Sequence, residues 1–66
     1  MKSKEDKIKL LEKQISIVQS NVDSITRGIL NDRYHGQKLK DMDHKITLGY
    51  RRIDSLKKEI EELRNS

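Results

Sequence analysis

Apolar residues recur at alternating intervals of three and four along two stretches of this chain, and this heptad spacing constrains the fold more than any other feature. Such spacing places an apolar stripe on one side of an α-helix, where another helix must cover it. The first seam consists of Ile8, Leu11, Ile15, Val18, Val22, Ile25 and Ile29. The second seam consists of Leu39, Met42, Ile46, Ile53, Leu56, Ile60 and Leu63, with Gly49 where an apolar residue is due. We expect these residues to form the helix–helix interface.

The two seams are out of phase, because Ile29 and Leu39 occupy the same heptad position but lie ten residues apart. An antiparallel helical hairpin explains the shift, since each helix then has its own heptad frame. The alternative is a single long helix in a parallel coiled coil, with a stammer near residues 29–39. Either arrangement makes residues 1–66 a single all-α coiled-coil domain, and we favour the hairpin.

In two antiparallel helices, the residue numbers of facing residues add up to a constant. Each possible value of this sum defines one register of the hairpin. A sum of 71 gives every residue of the first seam a partner, with Val22 opposite Gly49, and centres the turn between His35 and Gly36. Gly36 suits a chain reversal because glycine adopts the left-handed backbone conformation readily. A sum of 64 satisfies the same periodicity and centres the turn on Asn31 and Asp32. The register therefore stays open between these two sums.

The hairpin prediction places the first helix over about residues 4–33, the turn over about 31–37 and the second helix over about 37–64. Ser3 precedes the first helix, and Asp6 lies three residues later. This spacing predicts a capping box at the start of the first helix.

Three apolar residues lie outside both seams: Leu10, Ile17 and Leu48. We interpret them as a candidate second stripe that joins hairpins into a larger bundle, because a two-helix hairpin leaves each seam half uncovered. Gly49 is expected to leave a hole in its layer, or to admit a bulky side chain such as that of Tyr50.

Composition narrows the chemistry available to the chain. It has no cysteine, so disulfides and thiolate metal sites are excluded, and the two histidines lie outside any metal-binding motif. There is no glycine-rich phosphate loop and no nucleophile with an orienting base. We therefore expect no enzymatic activity, no metal and no cofactor. No apolar run is long enough to span a membrane, and the mixed charge at the start argues against a signal peptide, which favours a cytosolic or cytosol-facing location.

A basic segment offers one alternative function. The net charge is +4, and six basic residues between positions 32 and 52 outnumber three acidic ones. A basic helical face can bind phosphate groups of nucleic acid. Architecturally, a short hairpin that dimerises is similar to the plasmid Rop-type RNA-binding bundle, in fold and length. The candidate basic face consists of Arg33, Lys38, Lys40, Lys45, Arg51 and Arg52.

A second alternative comes from the segment HGQKLKDMDHKITLGYRRIDSLKKEI, residues 35–60. It resembles the C-terminal half of a glutamine-type SNARE motif, with His35 in place of the central-layer glutamine. Apolar layers follow His35 at plus four, plus seven and plus eleven, namely Leu39, Met42 and Ile46. This resemblance implies assembly with other SNARE helices into a parallel four-helix complex for membrane fusion.

The favoured function is a helical protein–protein interaction and oligomerisation module that acts as an adaptor, structural or regulatory subunit. Its expected partner is a second copy of itself, helices of another protein, or both. The seam residues are expected to carry this interaction.

Overall fold

The computed structural model describes residues 3–66 as two antiparallel helices packed side by side. Helix α1 spans Lys4–Leu30 and helix α2 spans Gln37–Asn65. The Cα atoms fill a rod of 47 × 16 × 14 Å, so the two helices run the whole length of the molecule. The predicted hairpin is confirmed, and the alternative of a single continuous helix is wrong.

Helix α1 begins at the predicted capping box. The Ser3 hydroxyl accepts a hydrogen bond from the Asp6 backbone N–H at 3.2 Å. In return, the Asp6 carboxylate accepts one from the Ser3 backbone N–H at 3.4 Å. Glu5 and Asp6 also place negative charge in the first turn, where the helix dipole favours it.

Helix α1 ends at Leu30, about three residues earlier than the predicted end near residue 33. Asp32 has a φ of 56°, which takes the backbone into the left-handed region. The Asp32 N–H donates to the Ile29 carbonyl at 3.1 Å, and the Arg33 N–H donates to the Gly28 carbonyl at 2.9 Å. This pair of bonds is a Schellman motif, in which Asp32 takes the position that glycine usually occupies.

Helix α2 begins after a second left-handed residue. Gly36 has a φ of 57° and a ψ of −130°, and its position at the helix start brings no side-chain cap. The loop of residues 31–36 thus reverses the chain with one left-handed residue near each end. Within it, the Tyr34 ring lies against Gly28 of α1 and is half-buried.

The contact between Val22 and Gly49 decides the register. A Cβ atom built on Gly49 would meet side-chain atoms of Val22 and Val18. This contact matches the sum of 71, whereas a sum of 64 would place Ile15 opposite Gly49. The five buried apolar residues surround this level and extend toward the open end of the hairpin: Val22, Met42, Ile53, Leu56 and Ile60.

Polar contacts between the helices lie at the open end of the hairpin. Arg64 and Glu12 form an ion pair at 3.5 Å, with both side chains more than half exposed. Lys4 Nζ donates to the backbone oxygen of Ser66. Exposed ion pairs contribute at most about 1 kcal/mol, so apolar packing dominates the stability. Neither α1 nor α2, as described over residues 3–66, is long and apolar enough to cross a membrane.

Replacing Asp32 by glycine should stabilise the fold. An L-residue in the left-handed region costs roughly 1–2 kcal/mol, and part of this relief is offset by the greater freedom of glycine in the unfolded chain. We expect Asp32→Gly to raise the free energy of unfolding by about 0.5–1 kcal/mol, measured by urea denaturation at fixed chain concentration.

The matched control is Asp32→Ala, which removes the same carboxylate but keeps a Cβ atom. It should lower stability, since alanine lacks the tolerance of aspartate for this conformation. Equal effects of the two substitutions would contradict the assignment of Asp32 as the left-handed residue that ends α1.

Candidate protein-interaction surface

The two seams differ in how well the hairpin covers them. In α2, Met42, Ile53, Leu56 and Ile60 are buried, and Ile46 and Leu63 are half-buried. Leu39 is exposed because its partner position in the register, residue 32, lies beyond the end of α1. The second seam is therefore largely closed within one chain.

The first seam stays open. Only Val22 of its seven residues is buried. The other six are half-buried: Ile8, Leu11, Ile15, Val18, Ile25 and Ile29. A single neighbouring helix covers one side of a seam, and α1 has no second neighbour within the chain. Helix α1 therefore keeps a continuous apolar strip in partial contact with water.

Gly49 leaves no hole in the seam, contrary to the expectation from its missing side chain. Val22 occupies the space, and a Cβ atom on Gly49 would lie closer to Val22 Cγ2 than the 3.0 Å that real Cβ atoms keep. Tyr50 does not cross the seam either, because its side chain is exposed. The glycine lets the two helices approach closely at this level.

A shallow groove opens between the helices beside this close contact, and we call it the Gly49 groove. Asn21 and Ser24 of α1 form one edge, and Lys45 and Arg52 of α2 form the other. Its apolar lining consists of Val18, Val22, Ile25, Leu48 and Gly49. The groove thus exposes part of both seams on one side of the hairpin.

Leu10, Ile17 and Leu48, the predicted second stripe, all lie on the side of the hairpin where the Gly49 groove opens. Leu48 lines the groove. Ile17 lies four residues before Asn21 and seven before Ser24, both of which line the groove, and Leu10 lies seven residues before Ile17. Residues seven apart share one side of a helix, so we call this side the groove face.

All three side chains of this stripe are substantially exposed. The exposed fraction is 46% for Leu10, 53% for Ile17 and 47% for Leu48. Leu30 is even more exposed, at 76%, and sequence reasoning missed it. The exposure of Leu30 was predictable from the sequence, because Leu30 directly follows the seam residue Ile29 and so points away from the seam.

The middle of α1 also differs in charge from the rest of the chain. Residues 14–26 contain a single charged side chain, that of Asp23, whereas 39% of the whole chain is charged. Asp23 lies along a polar groove on the neighbouring side of α1, together with Ser16, Gln19 and Arg27, and Ser24 borders both grooves. The groove face of α1 is uncharged from Leu10 to Gly28. This composition shift is visible in the sequence, and sequence reasoning missed it.

The six candidate basic residues do not gather on one face. Lys45 and Arg52 edge the Gly49 groove, and Lys38 lies seven residues before Lys45 on the same side of α2. Lys40 and Arg51 project from the other side of α2 by the same helical periodicity. Arg33 lies in the loop, as does His35. The basic residues therefore form a sparse row of three and separate individual charges.

Among residues 3–66, no polar or charged side chain is buried, and no three His, Asp and Glu side chains cluster closely enough to hold a metal ion. The groove face combines exposed apolar side chains with an α1 surface that carries no charge from Leu10 to Gly28.

Comparison with known proteins adds no assignment. No family model, no curated protein and no solved structure matches this chain.

The close contact at Gly49 predicts that Gly49→Ala destabilises the wild-type protein but stabilises a Val22→Ala variant. In an ordinary helix, Gly→Ala stabilises by about 1 kcal/mol. Here Gly49→Ala should instead lower the free energy of unfolding by about 1–3 kcal/mol, because the new methyl group overlaps Val22. Urea denaturation at fixed chain concentration measures this change.

The control is the same substitution in a Val22→Ala background, where the overlapping γ-methyl groups are gone. There Gly49→Ala should be stabilising, so a double-mutant cycle should give a large coupling energy. The same sign in both backgrounds would show that Val22 does not fill the space above Gly49.

Proposed function

We propose that this chain is a non-enzymatic helical interaction and oligomerisation module that serves as an adaptor, structural or regulatory subunit. It acts by covering its exposed apolar residues with helices of another chain, and a second copy of the hairpin is the first such partner. The observation that carries this proposal is the open first seam, in which Val22 alone is buried.

The size of the chain supports an association of this kind. The hairpin of residues 3–66 has a small core of five buried apolar side chains, and the chain has no cysteine to supplement that core with a disulfide. Chains this small commonly depend on a metal, a disulfide or oligomerisation for stability. The half-buried side chains of α1 supply apolar area that a second pair of helices can remove from water.

The arrangement of charge favours protein over nucleic acid as the partner. Phosphate-binding surfaces collect lysine and arginine on one side, and here the basic side chains are divided between two sides of α2 and the loop. Asp41 lies seven residues before Leu48, so it places an acidic group among the basic ones on the groove face. Interface centres are typically depleted in charge, as the middle of α1 is.

The proposal is tested by the solution mass of the full chain. Sedimentation equilibrium at micromolar concentration should give a mass of at least twice the 7.8 kDa of a single chain. That mass should change little between about 50 mM and about 200 mM salt, because apolar burial is far less sensitive to salt than phosphate binding is.

Titration of a labelled duplex RNA and a duplex DNA under the same conditions is the control. We expect no association with either at the higher salt concentration. A monomeric chain would contradict the proposed self-association, and tight, strongly salt-dependent nucleic-acid binding would support the basic-face alternative instead.

A further inference from the structure

We infer that a second copy of this chain docks on the groove face, with α1 of each copy seated over the Gly49 groove of the other. Leu10 and Ile17 are the side chains that each copy inserts. The two copies are related by a two-fold axis that crosses α1 at the level of Ile17 and Val18. This inference rests on the proposed self-association and names its surface.

The groove face carries both halves of a self-complementary contact. Leu10 and Ile17 protrude from the N-terminal half of α1, and the Gly49 groove follows along the same side, where it is lined by residues from Val18 to Ile25. Leu10 and Ile25 are fifteen residues apart, or roughly 22 Å at 1.5 Å per residue. An interface with two-fold symmetry requires this arrangement, because the protrusion of each copy must meet the recess of the other.

A constant sum again defines the pairing of the two antiparallel α1 helices. A sum of 35 places Ile17 opposite Val18 of the second copy and Leu10 opposite Ile25 of the second copy. Leu48 lies at the level of Asp23 in the hairpin register, two residues from the level of Ile25. Leu10 of one copy therefore arrives between Ile25 and Leu48 of the other, and all three residues of the second stripe become covered.

The charge pattern selects a second copy as the occupant. The groove face of α1 is uncharged from Leu10 to Gly28, so two copies of it meet without repulsion between like charges. A two-fold axis beside α2 is less favourable, because Lys45 and Arg52 of one copy would then lie close to Lys45 and Arg52 of the other and repel them. At the groove edge, their long side chains can instead reach past the docked helix into water.

The available area is also sufficient. A stable interface buries about 800 Å² on each partner, which is about 15% of the 5409 Å² surface of this chain. One broad side of a 47 × 16 × 14 Å rod is roughly a quarter of its surface, so the groove face alone can supply that area.

Single cysteines test the geometry, because the natural chain has none. Cysteine at position 17 lies beside the proposed two-fold axis, where facing Cα atoms come within disulfide range. Ile17→Cys should therefore form a covalent dimer under mild oxidation at least about tenfold faster than Ser16→Cys. Ser16 is the adjacent exposed residue and lies on the polar-groove side of α1.

A charge at the same two positions tests the energetics in the full-length chain. Ile17→Glu should raise the dimer dissociation constant at least about tenfold, or 1.4 kcal/mol, whereas Ser16→Glu should leave it within about twofold. Ile17 is 53% exposed in the hairpin, so the substitution leaves the intrachain core intact, and circular dichroism checks the helix content.

The outcomes separate this inference from the proposed function. A self-associated wild-type chain whose mass responds equally to Ile17→Glu and Ser16→Glu would overturn the docking face while keeping the proposed function. Faster disulfide formation at position 16 than at position 17 would do the same. A wild-type monomer would overturn both, and an odd-numbered oligomer would overturn the two-fold symmetry.

Discussion

The close approach of Val22 to Gly49 sets the arrangement of the whole hairpin. Because Val22 occupies the space that a side chain at position 49 would need, the helices can pair in the register with sum 71 and pack closely at this level. That register brings Met42, Ile53, Leu56 and Ile60 of α2 against α1. It also fixes how much of α1 stays uncovered, so the surface of the molecule follows from a contact in its interior.

The two helices of the hairpin differ in how far their apolar seams are covered. Helix α2 buries most of its seam and has its charges on the outside, whereas α1 buries one seam residue and is nearly free of charge over residues 14–26. Surface without charge and with protruding leucine and isoleucine is costly to leave in water. The same chain thus combines a closed side that stabilises the hairpin with an open side suited to another helix pair.

Much of the fold could be predicted from the sequence, since heptad spacing reports directly which side of each helix is buried. The phase shift between the seams and the Ser3 capping box follow from residue positions. These positions limit the register to sums of 71 and 64, and only the contact between Val22 and Gly49 in the structure selects 71. The end of α1 was harder to predict, because glycine usually marks a helix end. Here Gly28 lies inside the helix, and Asp32 takes the left-handed position instead. The role of Gly49 as a point of close approach could not be predicted, because heptad spacing does not give the distance between the helices. The division of the basic residues between two sides of α2 was predictable from the heptad positions of Lys40, Lys45 and Arg52.

The central claim is that part of the apolar core lies between chains, so that folding and association are coupled. The most direct measurement is the thermal unfolding midpoint of the wild-type chain as a function of its concentration, followed by circular dichroism. Over about a thousand-fold range, coupling predicts a continuous rise of roughly 10 °C, because association stabilises only the folded hairpin. A midpoint that stays constant across the whole range would show that the hairpin folds alone and would contradict the account.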